Sequence, residues 1–284
     1  MTIAYQGEPG AFSEAAARRV DPDAPLVPCR SFDEVFDAVQ EKRAAYGVLP
    51  IENSIGGSIH RNYDLLLERT LPIVGEVELP VVHHLLALPG ATLDGLRRVY
   101  SHPQGLAQCE RFLRTLAHVE IIATYDTAGS AKMVADAGLK DAGAIASARA
   151  GDVFGLVSLA ASVQDFDDNI TRFIVIGRRP LSDRPPDKTT IVFSLPNEAG
   201  SLFKALSVFA LRAVDLTKLE SRPIPGRPWE YLFYVDLAAA RDELPCQRAL
   251  ANLAEFAPML RTLGSYVSWK APEQRLTDSF KVVS

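Results

Sequence analysis

The sequence predicts an α/β protein in two parts: a larger region with largely parallel sheet, then a small βαββαβ domain. Three observations carry this. Short apolar strands alternate with helical patterns over roughly the first 178 residues, the order that builds parallel sheet. A proline-rich, charged stretch, GRRPLSDRPPD, then breaks the periodicity as an exposed linker does. Beyond it the pattern restarts as strand, helix, two strands, helix and strand, the ferredoxin-like split order.

Taken along the chain, Ile3 to Gln6 reads as a strand and Phe12 to Val20 as a helix. Ser31 is an N-cap for FDEVFDAVQEKR, in which Phe32, Val35, Phe36 and Val39 repeat at helical spacing. Tyr46 to Ile51 is a buried strand, and the alternation returns at RRVYS, SHPQGLAQCERFLRTL, VEIIATY and TAGSAKMVADAG. One stretch, IVGEVELPVVHHLLALPG, is β-rich and lacks a helix, so it is expected to cross between two lobes, with the chain later returning to the first. In the second part TTIVFSL, LTKLESRP and WEYLFYVDL are strands, AGSLFKALSVFALR is an amphipathic helix, a second helix covers about Leu244 to Phe256, and the last strand lies near Ser265 to Trp269. The expected boundaries are 1–178 for the larger region, 179–187 for the linker, 188–270 for the small domain and 271–284 for a tail. A domain of about 85 residues often gains core by pairing with a second copy.

Composition excludes several classes. The chain is 48% hydrophobic and 23% charged, with a net charge of -5 and no global basic field to favour nucleic acid. MTIAYQGEPGAFSE has no basic n-region, and no apolar run approaches the ~20 residues that span a bilayer. Cys29, Cys109 and Cys246 are scattered and odd in number, arguing against a disulfide framework and a thiolate metal site. These features lead to the expectation of a reducing cytoplasm, with no membrane partner. No His, Asp and Glu cluster has metal-ligand spacing.

Polar clusters sit where strands give way to helices: Gly7 to Ser13, Pro50 to Ser58, Ser101 to Gln104, and Thr127 to Ser130. Ligands collect at the carboxyl ends of strands in open α/β sheets, where helix N-termini offer free N–H groups suited to anions. Each cluster alone reads first as a set of caps and turns. GEPGAF lacks the third glycine of a dinucleotide fingerprint, and GGS has no lysine for a phosphate loop. Asp165 to Phe173 adds a hydroxyl and a guanidinium at a strand entry. His83 and His84, in an apolar stretch, read as structural, and His102 as local structure at a helix start.

Together these segments are specific. YQGEPGAFSEAA, GVLPIENSIGGSI, SHPQGLAQC and NITRFIVIG, in this order, resemble the prephenate dehydratase family, and ESRP after NEAGSL resembles the phenylalanine-binding elements of its appended ACT domain. The resemblance implies a two-lobed catalytic region like a periplasmic binding protein, monofunctional and cofactor-free. It would convert prephenate to phenylpyruvate with loss of CO2 and water, as a homodimer or homotetramer sensitive to phenylalanine. It also implies the site residues. Thr171 is the expected proton donor or polarising hydroxyl, with Glu52 as the competing acid and Asn53 beside them. Substrate is expected to be held by Ser13, Ser54, Ser101, Gln108, Thr127, Ser130, Arg172 and Phe173, although Arg172 reads equally well as a structural ion pair and Phe173 as core. Phenylalanine is expected at Asn197, Gly200, Ser201, Leu202, Glu220, Ser221, Arg222 and Pro223, where this chain has Gly-Ser-Leu in place of the family's usual Gly-Ala-Leu. Two rivals remain: an arogenate dehydratase, and a non-catalytic amino-acid sensor with a binding-protein fold.

Overall fold

A computed structural model describes residues 1–224 and 226–270. The expected tail at 271–284 lies outside the described residues. The chain forms two compact units. One comprises Met1–Arg69 and Val77–Ile176, and the other comprises Thr70–Glu76 and the described residues from Gly177 onward.

The chain opens with β1 (Ile3–Gln6), α1 (Phe12–Val20), β2 (Leu26–Cys29), α2 (Phe32–Gln40), β3 (Tyr46–Asn53), β4 (Gly57–Ser58), α3 (His60–Glu68) and β5 (Ile73–Pro80). Ser31 caps α2 by accepting from the Glu34 amide at 3.2 Å, while Glu34 reaches back to the Arg30 amide at 2.7 Å. Val35, Phe36 and Val39 consequently face inward, and each such burial stabilises by about 1.5–3 kcal/mol. The second lobe follows with β6 (His84–Ala87), β7 (Arg98–Ser101), α4 (Pro103–Ala107), α5 (Glu110–Thr115), β8 (Glu120–Ala123), α6 (Thr127–Asp136), β9 (Ala142–Ala146), α7 (Ala148–Phe154) and β10 (Val157–Ala160). Then β11 (Ile170–Gly177) returns to the first lobe.

Both sheets are mixed. The first runs β2-β1-β3-β11-β5, with β1 parallel to both β2 and β3. The second runs β10-β6-β9-β7-β8, where β7 is parallel to β8 and β9 but β6 is antiparallel to β9. The crossover and the return follow from this order, since β5 and β11 lie in the first sheet and β6 in the second. The SHPQGLAQCERFLRTL segment does not form one helix. It breaks into α4 and α5, with Gln108 closing the first.

The second unit adds β12 (Lys188–Ser194), α8 (Ser201–Ala210), β13 (Leu216–Ile224), β14 (Arg227–Leu237), α9 (Leu244–Ala254) and β15 (Met259–Tyr266). Its sheet order, β13-β14-β12-β15, is the ferredoxin-like arrangement. The final strand begins earlier than the expected Ser265, because Met259 to Tyr266 continues the antiparallel register with Ser194 to Lys188. The helices cover a core of Ile191, Phe193, Phe209, Val235 and Leu253. Segment 70–76 groups with this unit because the buried Glu76 carboxylate accepts from Lys188 Nζ at 2.9 Å and from the Trp269 amide at 3.1 Å. Asp236 completes that cluster, 3.8 Å from the same ammonium and accepting from Thr190 Oγ1 at 2.7 Å. The charges are buried but paired, which their desolvation requires.

Candidate active site

The first unit encloses a cavity of about 450 Å³, a size suited to a small ligand. Residues of both lobes line it, among them Ser13, Asn53, Gln108, Thr127, Thr171 and Phe173. Among the described residues that line it there is no lysine or arginine, and Asp126 is the one Asp or Glu carboxylate.

The wall is built by strand ends. β3 ends where β11 begins, as the Ser54 amide donates to the Ile170 carbonyl at 2.8 Å. Alternate side chains of a strand point to opposite faces. Asn53 and Thr171 therefore share the cavity face, and Asn53 Nδ2 donates to Thr171 Oγ1 at 2.9 Å. Asn53 Oδ1 accepts from the amides of Ile55 and Gly56 at 3.1 and 2.7 Å, which fixes the orientation of its carboxamide. Gln108, at the end of α4, donates from Nε2 to the same oxygen at 3.2 Å. Since an amide nitrogen only donates, Thr171 Oγ1 accepts from Asn53, and its own proton has no acceptor among the described residues.

The opening of α1 forms another wall. Gly10 has φ 91°, and a Cβ there would lie 2.6 Å from the Ala150 Cα, so the chain must be glycine where α1 meets α7. The Gly10 amide donates to Glu14 Oε2, and Arg18 and Arg149 hold Oε1 at 2.8 and 3.3 Å. Burial would push the Glu14 carboxyl up, but the Gly10 amide and the two guanidiniums hold it below the usual range. The N-cap of α1 is Ala11, which supplies no side-chain acceptor, so the first turn with Ser13 is open to an anion. In α6, by contrast, Asp126 already fills the N-terminus by accepting from the Ala128 and Gly129 amides at 2.7 and 3.2 Å.

Five expected site residues do not line this cavity. Glu52 and Arg172 occupy the alternate positions of β3 and β11 and pair with each other, with Arg172 Nη2 3.2 Å from Glu52 Oε2. The pair matches the structural alternative for Arg172. Ser101 is buried and donates to the Ile145 carbonyl at 2.7 Å. Ser130 donates to the Asp126 carbonyl at 2.7 Å within α6. Ser54 donates to the Asp168 carbonyl at 2.7 Å and accepts from the Ile170 amide at 2.9 Å, so it holds the β3–β11 junction. Conversely, the cavity takes in His83, His102, Gln104, Tyr125 and Asp126, none of which was an expected site residue. For Asp126 a signal was present, since Asp before TAGS is an N-cap pattern at one of the polar clusters.

The cavity wall thus sets carboxamides and hydroxyls, with two histidines and the Asp126 carboxylate, among apolar side chains such as Phe12, Phe32, Ile59 and Phe173. The prephenate dehydratase family model matches residues 3–181. The chain belongs to the prephenate dehydratase family. An arogenate/prephenate dehydratase of Arabidopsis thaliana is 50% identical over 283 residues, spanning 94% of this chain and 68% of the relative. A solved prephenate dehydratase from Arthrobacter aurescens, in complex with L-Phe, is 30% identical with a TM-score of 0.85, over 98% of this chain and 99% of that one. A structure described as GqqA, a novel type of quorum quenching acylases, is 37% identical with a TM-score of 0.85, over 97% of this chain and 100% of that one.

The family membership carries the fold and the expected activity, a decarboxylating carbon–oxygen lyase. It also overturns one expectation. Several of the similar relatives are chloroplastic enzymes, so the cytoplasmic assignment does not stand. Scattered free thiols argue against a disulfide framework, and many compartments permit that.

Proposed function

We propose that the 450 Å³ cavity dehydrates and decarboxylates prephenate, with Thr171 as donor to the departing hydroxyl and Asn53 orienting it. The observation that carries this is the Thr171 hydroxyl itself, which accepts from Asn53 and keeps its proton free beside the cavity. In the reaction the bond to the ring carboxylate breaks and CO2 leaves. Its electron pair enters the ring, and the C–O bond of the ring hydroxyl breaks as that oxygen takes a proton through Thr171, which solvent then restores, so that water leaves. The ring becomes aromatic, so no external electron acceptor is required. A hydrogen bond that strengthens as charge builds on the departing oxygen is worth roughly 10²–10³ in rate. A substrate carboxylate belongs at the open first turn of α1, with Ser13, and Gln108 and Thr127 supply further polar contacts, while Phe173 closes the floor.

Arogenate is a second reading of the substrate, favoured by the relatives named arogenate dehydratases, such as one from Petunia hybrida at 50% identity. The second unit is proposed to be an ACT domain that binds phenylalanine. Strand register supports this: Arg222 of β13 pairs with Leu232 of β14, which pairs with Ser194 of β12, so Glu220–Pro223 and the turn Asn197–Leu202 after β12 lie at one end of the sheet. Gly200 has φ 82° and starts α8 without a side-chain cap. The edge position of β13 suits pairing with a second copy, in a homodimer or homotetramer with phenylalanine between the subunits.

Measuring kcat/KM for both substrates, with and without phenylalanine, tests the proposal. Turnover of one or both, lowered by phenylalanine, is expected. Decay of both at the uncatalysed rate would contradict it.

A further inference from the structure

The hydrogen-bond chain behind Thr171 has a direction that can be worked out from groups whose roles are not adjustable. The amides of Ile55 and Gly56 must donate, so the atom of Asn53 they meet is its oxygen. Asn53 Nδ2 then donates to Asn169 Oδ1 at 2.7 Å as well as to Thr171. With its oxygen so engaged, Asn169 presents Nδ2 to Gln108 Oε1 at 3.1 Å. Gln108 Nε2 is turned to Asn53 Oδ1, which closes a ring of three carboxamides. Gln108 Oε1 also lies 2.9 Å from His83 Nε2, so that nitrogen carries the proton. His83 Nδ1 is left bare, buried and without a partner. Asn169 is 1% exposed and His83 2%, so water does not compete for these bonds. The Asn169 carbonyl is itself held by the Val81 amide at 2.7 Å, and the His83 amide donates to Gln164 Oε1 at 3.0 Å.

We infer that Asn169 and His83 are positioning residues: together with the Ile55 and Gly56 amides, they hold the direction of the carboxamide ring, so that Asn53 donates to Thr171 and the Thr171 proton stays available to the substrate. The inference rests on the reading of Thr171 as the donor to the departing hydroxyl. Reversing the ring would turn Asn53 oxygen toward Thr171, where it would take the hydroxyl proton for itself. Two opposed acceptors at a junction of the ring would work against the hold of the Ile55 and Gly56 amides on Asn53 and loosen that direction.

Asn169→Asp provides the test. As a carboxylate, residue 169 accepts from Asn53 but opposes Gln108 Oε1 with a second oxygen. Once protonated, it donates there and restores the ring. Burial raises the pKa of such a carboxyl above the ordinary ~3.9. The titratable groups near it are His83, reached through Gln108, and Asp165 and Asp168 on its own loop, of which Asp165 accepts from the Arg111 amide. His83 carries its Nε2 proton in either charge state, so its own titration leaves the direction unchanged.

Relative to wild type, kcat of Asn169→Asp is expected to rise at least tenfold as pH is lowered, with KM within threefold, while Asn169→Ala is impaired equally at every pH. An Asn169→Asp variant that follows wild type, or that loses activity without pH dependence, would overturn the inference. Should that variant not fold, His83 decides: His83→Gln, which keeps a donor, is expected within threefold of wild-type kcat, and His83→Leu at least tenfold below it. Equal effects of the two would overturn it. Thr171→Val separates the two levels, because full turnover in that variant removes the underlying reading of Thr171 rather than the ring alone.

Discussion

From the junction of β3 and β11, Asn53 and Thr171 face the cavity, whereas Glu52 and Arg172, their immediate neighbours, pair with each other on the alternate face. The contrast is between neutral dipoles and formal charges. A carboxamide and a hydroxyl, held by backbone amides, keep a fixed orientation without the desolvation cost of an ion, and they offer one free proton where a leaving oxygen would need it. The ion pair joins β3 to β11 on the alternate face. Glu14 belongs with the second kind. It touches no part of the cavity, yet it organises the start of α1 through the Gly10 amide and two guanidiniums.

This division can be broken at its charged side first. Glu14→Gln is expected to lower unfolding stability at neutral pH by about 2 kcal/mol, since the Gly10 amide loses a charged acceptor while water screens the two partly exposed guanidiniums. The Glu14 carboxyl is held below 4.5 in the folded state, so its contribution is present above that pH and is lost as pH falls through the folded value. Urea unfolding at neutral and acid pH should therefore show wild type and variant converging in acid; a gap of constant size would contradict the assignment. A smaller effect is expected at Glu52. Glu52→Gln should leave kcat within about threefold and cost about 1 kcal/mol of stability, as for a partly exposed ion pair. A loss of two orders of magnitude in kcat would return Glu52 to the chemical step.

Much of this was legible in the sequence, and the failures have identifiable causes. Periodicity was enough for α2, where Ser31 and four apolar positions agree with one helix face. It also exposed the ferredoxin-like order, because β12 and β14 are long and rich in β-branched and aromatic residues. The strand Ala142–Ala146 gave no such signal: AGAIA has little β-propensity, and it is a strand because it is buried in the middle of the second sheet. At the site, motif order brought Asn53, Gln108 and Thr171 to one cavity, but motif membership does not state which way a side chain points. Strand alternation took Glu52 and Arg172 to the other face, and Ser101 and Ser130 spent their hydroxyls on local carbonyls. Asn169 and His83 were invisible as site residues because their importance lies in partners 61 and 25 positions away along the chain.

The central claim, that a neutral hydroxyl assists the departing oxygen, is tested most directly at Thr171 itself. Steady-state kinetics of Thr171→Val and Thr171→Ser should be compared in variants with wild-type thermal unfolding. Valine, which keeps the shape and loses the proton, is expected to lower kcat by roughly 10²–10³ with KM within about threefold, and serine to restore most of that loss. Equal turnover in the valine and serine variants would contradict it.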